Sequence, residues 1–208
     1  MKPKLKIRRV KNLHDARYCS AVGISLISFQ LEPGNSETVS PKDAAVIISW
    51  LSGPAYIGEF GYQTPDEINS VVAQVPLAYA EVPLDYRPEL AARVDLPLIF
   101  RPEDPRLEPE DLFAEIQSLS ERFPDALFEL DLNIFPEAST LLEEYLGLMP
   151  RLLIEYPEPD LIYSDLQKEG DKPFGYILGH FVQEEKGELD YEKCDTFLER
   201  YDSFAVVG

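Results

Sequence analysis

The sequence predicts an α/β fold, a single small (β/α)8 TIM barrel spanning residues 1–208 as one domain. Three observations carry this reading. Short runs rich in β-branched, aromatic and leucine residues recur eight times, each bounded by Pro, Gly, Asn or Asp. Helical patterns separate these runs, and strict strand–helix alternation requires parallel strands joined by crossover helices. The unit repeats about every 25 residues, so the 208-residue chain holds eight of them, near the lower size limit of the closed barrel. The alternative is an open, doubly wound sheet, for which there is no glycine-rich dinucleotide turn.

The first strand candidate is "KLKIRR" (4–9), where Leu5 and Ile7 alternate with Lys4, Lys6 and Arg8 to give one apolar and one cationic side. Asn12 then caps a helix over 13–22, with Asp15 three residues on in an approximate capping box. After "ISLISFQL" (24–31), Ser40-Pro41 opens a helix over 41–51, with Pro in the first turn where its missing N–H costs nothing. "AYIGEFG" (55–61) is followed by Thr64-Pro65, and Asp66 and Glu67 start a helix reaching residue 75. "LAYAEV" (77–82) and "LPLIF" (96–100) flank a weaker segment at 86–93, a short helix or a single turn. Leu112, Ile116, Leu119 and Phe123 form one face of a helix over 109–123. "ALFELDL" (126–132), "RLLIEY" (151–156) and "FGYILG" (174–179) complete the strands. Helices are expected at 136–146 and 190–201, with a weaker one at 158–168.

Net charge is −19, unevenly spread. Residues 1–17 hold seven Lys/Arg and one acid; the rest holds twelve Lys/Arg against 37 Asp/Glu, a net of −25. So acidic a body repels nucleic acid and anionic membrane surfaces, and neither is expected as a partner. The basic opening could be a nucleic-acid arm, but its alternation with Leu5 and Ile7 places it in a sheet. No apolar stretch approaches the ~20 residues of a membrane span, and the basic N-terminus lacks a secretory apolar region, so a cytoplasmic location is expected. Cys19 and Cys194 lie in helical patterns without metal-ligand spacing and read as buried thiols.

Several segments resemble phosphoribosylanthranilate isomerases. "KLKIRRVKNLHDA" resembles the opening K-I-C-G-x-T-N-x-x-D-A of that family, and "AVGISLISFQL" its A-G-A-D-x-x-G-F second unit. "VSPKDAAVI" is similar to S-P-x-x-A, "YIGEFGYQTPDEI" to V-G-V-F-x-N-x-x-x-x-E-I, and "EEKGELDYEKCDTFLERY" to the closing G-x-K-D-x-x-K-I-x-x-F. The likeness covers most of the first 70 residues and the last 25, in order, and is much weaker between them. It implies a barrel fold and an aldose–ketose isomerisation in tryptophan biosynthesis, using a general acid, a general base and a phosphate site but no cofactor and no metal.

Residue by residue, the implied site departs from the family. Arg8 falls at the family's catalytic cysteine and Arg9 at the glycine after it. A guanidinium with a pKa above ~12 cannot take a proton near neutrality. Cys19, a helical residue expected to face the strands, is a poor substitute. Asp131, ending "LFELD", falls at the family's general acid, but Asp is also favoured there for turn chemistry before Asn133 and Pro136. Glu129 shares its side of the strand by period 2, so either carboxylate could project inward. The family's phosphate loops are Gly- and Ser-rich; here they read "NIFPEAS", "IEYPEP" and "LGHFVQEE", keeping at best Gly179. Glu155 would add repulsion for a phosphate.

The expected rim therefore gathers Arg8, Arg9, Gln30, Glu32, Glu59, Glu81, Arg101, Asp131, Glu155 and His180. It could take a polar or cationic small molecule, hold a metal on Asp131, Glu155 and His180, or form a self-satisfied ion cluster around Arg8. Three functional readings follow. The first is a divergent relative of the isomerases without their activity, with a small molecule at the barrel mouth or a structural role. The second is an active isomerase with Asp131 as acid and a displaced base, Glu81 or His180. The third is a non-enzymatic interaction module working through its acidic surface.

Overall fold

The computed structural model describes residues 2–179, 181–183 and 188–204. Among these, eight parallel strands close into a barrel in sequence order: β1 (Lys4–Ile7), β2 (Leu26–Gln30), β3 (Ala55–Glu59), β4 (Tyr79–Pro83), β5 (Leu98–Arg101), β6 (Leu127–Asp131), β7 (Leu152–Glu155) and β8 (Gly175–Ile177). Closure comes where Leu5 of β1 registers with Tyr176 of β8. The open-sheet alternative is thereby excluded.

The helices between the strands are α1 (Leu13–Ala21), α2 (Pro41–Ser49), α3 (Pro65–Val72), α4 (Pro88–Ala91), α5 (Pro109–Arg122), α6 (Pro159–Gln167) and α7 (Tyr191–Ser203). Their starts are set locally. The side chains of Asn12, Ser40 and Thr64 accept hydrogen bonds from the backbone N–H groups of Asp15, Asp43 and Glu67, and Glu67 completes a reciprocal capping box. Proline begins five of the seven helices, where no intrahelical donor is lost. The weaker segment at 86–93 is a single turn, α4, and the one at 158–168 is a regular helix, α6.

One helix expected from the sequence does not form. Residues 136–146 and the chain beyond adopt two short 3-10 segments, Pro136–Thr140 and Leu146–Arg151. Ser139 and Thr140 are weak helix formers, and in the tight turns their hydroxyls donate to the carbonyls of Pro136 at 2.6 Å and Glu137 at 2.8 Å. Gly147 and Pro150 follow, both poor helix residues. The apolar spacing survives without the helix.

The core has two parts. The larger lies between strands and helices, where outward-facing Ile7, Phe29, Phe100, Phe128 and Ile154 meet Ala16, Ile47, Ile68, Phe113, Ile116 and Phe197. The smaller fills the barrel interior with Leu26, Ile57, Ile99, Leu127, Leu153 and Ile177. Cys19 and Cys194 are buried free thiols of the outer core. No helix among the described residues is long and apolar enough to cross a membrane.

Candidate functional site: an ion cluster at the barrel mouth

Side chains two residues apart on a strand share a face, so each inward apolar residue predicts what stands next toward the strand's C-terminus. Two residues beyond Ile57, Leu127, Leu153 and Ile99 lie Glu59, Glu129, Glu155 and Arg101. On β1 the inward set is Lys6 and then Arg8, because Lys6 registers with the inward Leu26 and Ile177. A greasy barrel floor thus gives way to a charged upper interior.

The charges pair with one another. Lys6, fully buried, donates from Nζ to Glu81 Oε2 and Glu129 Oε1. Arg8 donates from Nη2 to Glu129 Oε2, and its Nη1 lies 2.9 Å from Glu155 Oε2 and 3.8 Å from Asp131 Oδ2. Arg101 Nη1 bridges Glu81 Oε1 at 2.8 Å and Glu59 Oε2 at 3.1 Å, while its Nη2 reaches Glu103 at 2.6 Å. Arg9 bonds Glu59 through Nε at 3.1 Å and Glu37 through Nη1 at 2.9 Å. Ser28 Oγ donates to Glu59 Oε1. The cluster is a continuous network across β1, β2, β3, β4, β5, β6 and β7.

Its electrostatics follow from burial and count. Burial alone would push the Lys6 ammonium down, but Glu129, Glu81 and Glu59 outweigh it and hold the group above its ordinary value. Burial opposes the charge of Glu59 and Glu129 too, yet Lys6 and Arg101 with Arg9 or Arg8 keep both ionised: Glu59 falls to about 2 and Glu129 is held well below the usual range. Glu81 goes the other way. Burial and the repulsion of Glu129 across the shared ammonium push its carboxyl up to about 7, against the pull of Lys6 and Arg101. The two carboxylates share one ammonium, and of the two it is Glu81 that binds a proton more readily.

Arg9 adds a backbone feature. Its φ is +53°, left-handed and unusual for a residue with a Cβ. The turn after β1 therefore has the shape a glycine would adopt, held here by an arginine.

The residues expected at the rim divide accordingly. Arg8, Arg9, Arg101, Glu81, Asp131 and Glu155 converge on the mouth. Asp131 accepts at 2.9 Å from the Asn133 backbone N–H, the turn arrangement foreseen for it, and lies at the edge of the cluster beside Arg8. Gly179 packs under Glu155: a Cβ at that position would collide with Glu155 Oε1. His180 lies outside the described residues, and with it any test of an Asp131–Glu155–His180 metal set. Among the described residues no group of His, Cys, Asp or Glu is arranged to hold a metal. Sequence reasoning missed Lys6, the centre of the network. The signal was available, since period 2 puts Lys6 on the face of Arg8 just as it puts Glu129 on the face of Asp131.

Fold and site together define a class, a small closed parallel (β/α)8 barrel whose upper interior is filled by an internal ion network. Comparison with known proteins narrows the class. No family model matches the chain. The N-(5'-phosphoribosyl)anthranilate isomerase of Chlorobium chlorochromatii (strain CaD3) is 32% identical over 111 residues, 50% of each chain, so the match spans about half the length of that curated relative. The phosphoribosyl anthranilate isomerase of Thermus thermophilus superposes with a TM-score of 0.76 at 23% identity, covering 96% of this chain and 98% of that one. The Thermotoga maritima enzyme gives 0.79 at 20% identity, covering 97% and 99%. A phosphoribosyl anthranilate isomerase in complex with reduced 1-(o-carboxyphenylamino)-1-deoxyribulose 5-phosphate gives 0.78 at 20% identity, again covering 97% and 99%. At these identities the structural likeness is one of fold. The curated relative, over half of this chain, and these solved structures that share its fold are phosphoribosylanthranilate isomerases.

Proposed function

We propose that this chain is a divergent phosphoribosylanthranilate isomerase relative that lacks that activity and has a binding or structural role. The observation that carries the reading is the engagement of Arg8, at the family's cysteine position, by Glu129, Glu155 and Asp131. A guanidinium in that place is no base, and Glu155 covers Gly179, the glycine through which an anion could approach backbone N–H groups. A substrate would have to part buried ion pairs before entering.

The test is to incubate the purified chain with phosphoribosylanthranilate and follow its consumption, with melting temperature recorded in parallel. We expect no turnover above the uncatalysed rate and no melting shift at millimolar substrate analogue. Turnover on the order of 1 s⁻¹ or faster, within the ordinary enzyme range, overturns the proposal.

One observation favours the competing reading of an active isomerase with Asp131 as acid and Glu81 as base. The Glu81 carboxyl, pushed up to about 7, has a value suited to a general base at neutral pH. Against it, Glu81 is fully buried and bound to Lys6 and Arg101, with no route to a substrate carbon.

A further inference from the structure

The helix missing after β6 has a consequence on the outer side of the barrel. Two short 3-10 segments cover less of the strand ends than a three-turn helix would, and a cavity of about 700 Å³ lies between them and α6. Its floor is apolar: Leu132, Met149 and Tyr156 are buried there, while Leu142 and the 42% exposed Leu161 form the walls. The volume suits a small molecule. Glu155 and Tyr156 are successive residues on opposite faces of the strand, so β7 separates this cavity from the mouth.

A carboxylate stands among these apolar groups. Asp165 of α6 is buried, and its Oδ2 accepts from the Tyr176 hydroxyl at 2.5 Å. Its Oδ1 faces Lys168 Nζ at 3.9 Å, a separation beyond hydrogen bonding, on a lysine side chain that is 64% exposed. The other lining lysine, Lys172, donates to the backbone carbonyls of Asp165 and Lys168 at 2.6 and 2.5 Å and so is occupied at the end of α6. Glu143, Glu169 and Asp171 also line the cavity. Four carboxylates against two lysines, one of them occupied by backbone carbonyls, repel an anion, and a neutral apolar occupant would further desolvate Asp165 without pairing it.

We propose that this cavity binds an amphiphilic cation, a primary ammonium on an aromatic or branched aliphatic body. The ammonium displaces Lys168 from Asp165 Oδ1 and the apolar body rests on Leu132, Met149 and Tyr156. This site is independent of the mouth and of whether the chain has isomerase activity.

Isothermal titration of the full chain with 2-phenylethylammonium and with 3-phenylpropionate, a carboxylate of similar shape, tests it. The ammonium is expected to bind at millimolar concentration or below, with the carboxylate at least roughly tenfold weaker. Asp165→Asn should weaken ammonium binding by a similar factor, and Lys168→Ala should strengthen it by freeing the carboxylate. Ser164→Trp, at an exposed lining position, should abolish binding by filling the cavity while leaving Asp165 in place, which keeps the test decisive if Asp165→Asn fails to fold. No ammonium binding, equal binding of the carboxylate, or binding that survives Ser164→Trp would each overturn the proposal.

Discussion

Replacing Lys6 by methionine removes the charge at the centre of the network while keeping most of the side-chain volume. In the native chain this ammonium is fully buried and serves both Glu81 and Glu129. Removing one partner of a buried ion pair generally costs ~3–5 kcal/mol, because the remaining charge keeps its desolvation penalty. Two features reduce that here: Glu129 keeps Arg8, and Glu81 keeps Arg101. Glu81 can also become neutral by taking a proton, and its carboxyl already sits at about 7. We therefore expect Lys6→Met to cost about 3 kcal/mol near pH ~8 and only about 1 kcal/mol near pH ~5, where Glu81 is protonated in both proteins. The assay is urea denaturation followed by far-UV circular dichroism at the two pH values. The lone tryptophan, Trp50, is 64% exposed and a poor reporter of the core. Adding Glu81→Leu to Lys6→Met should recover most of the loss, since an apolar pair of similar volume carries no desolvation cost. A Lys6→Met loss below about 0.5 kcal/mol at both pH values, the size of an ordinary surface change, would refute the view that Lys6 holds the interior together.

Two further outcomes follow from the same geometry. Glu81 binds its proton more tightly folded than unfolded, so its contribution is full below the ordinary carboxyl value of 4.5 and is lost as pH rises through about 7. Glu81→Gln, which fixes the neutral form, should therefore flatten the fall in unfolding free energy across that window by roughly 3 kcal/mol, measured by urea titration at several pH values; an unchanged slope would remove Glu81 as its source. Glu59, held at about 2, gives the opposite trend, with stability present above 4.5 and lost as pH falls toward about 2. At Arg9, Arg9→Ala and Arg9→Gly remove the same pairs with Glu59 and Glu37 but differ in tolerance of the left-handed φ. The glycine variant should exceed the alanine variant by about 1 kcal/mol in thermal or urea unfolding, and the reverse order would mean that the turn relaxes without strain.

Much of the architecture was legible because it is locally encoded. The alternation in 4–9, the caps at Asn12, Ser40 and Thr64, and the prolines at helix starts depend on residues within a turn of one another. The one misplaced helix, 136–146, carries an apolar period that fits a helix, but the period does not register the low helix propensity of Ser139 and Thr140 or of the Gly147/Pro150 exit. Arg8 as a carboxylate-bound residue could also be read from the chain, since a buried guanidinium needs partners.

The chain by itself therefore determined eight parallel strands and which residues of each share a face, because pleat and helix period are short-range properties. Tertiary structure alone decided the partners. Lys6 meets Glu81 and Glu129 across 75 and 123 residues of sequence, through a stagger that exists only once β1 has closed on β8. Which carboxylate keeps the proton is also a tertiary property, since it depends on burial and on how many cations each carboxylate can reach.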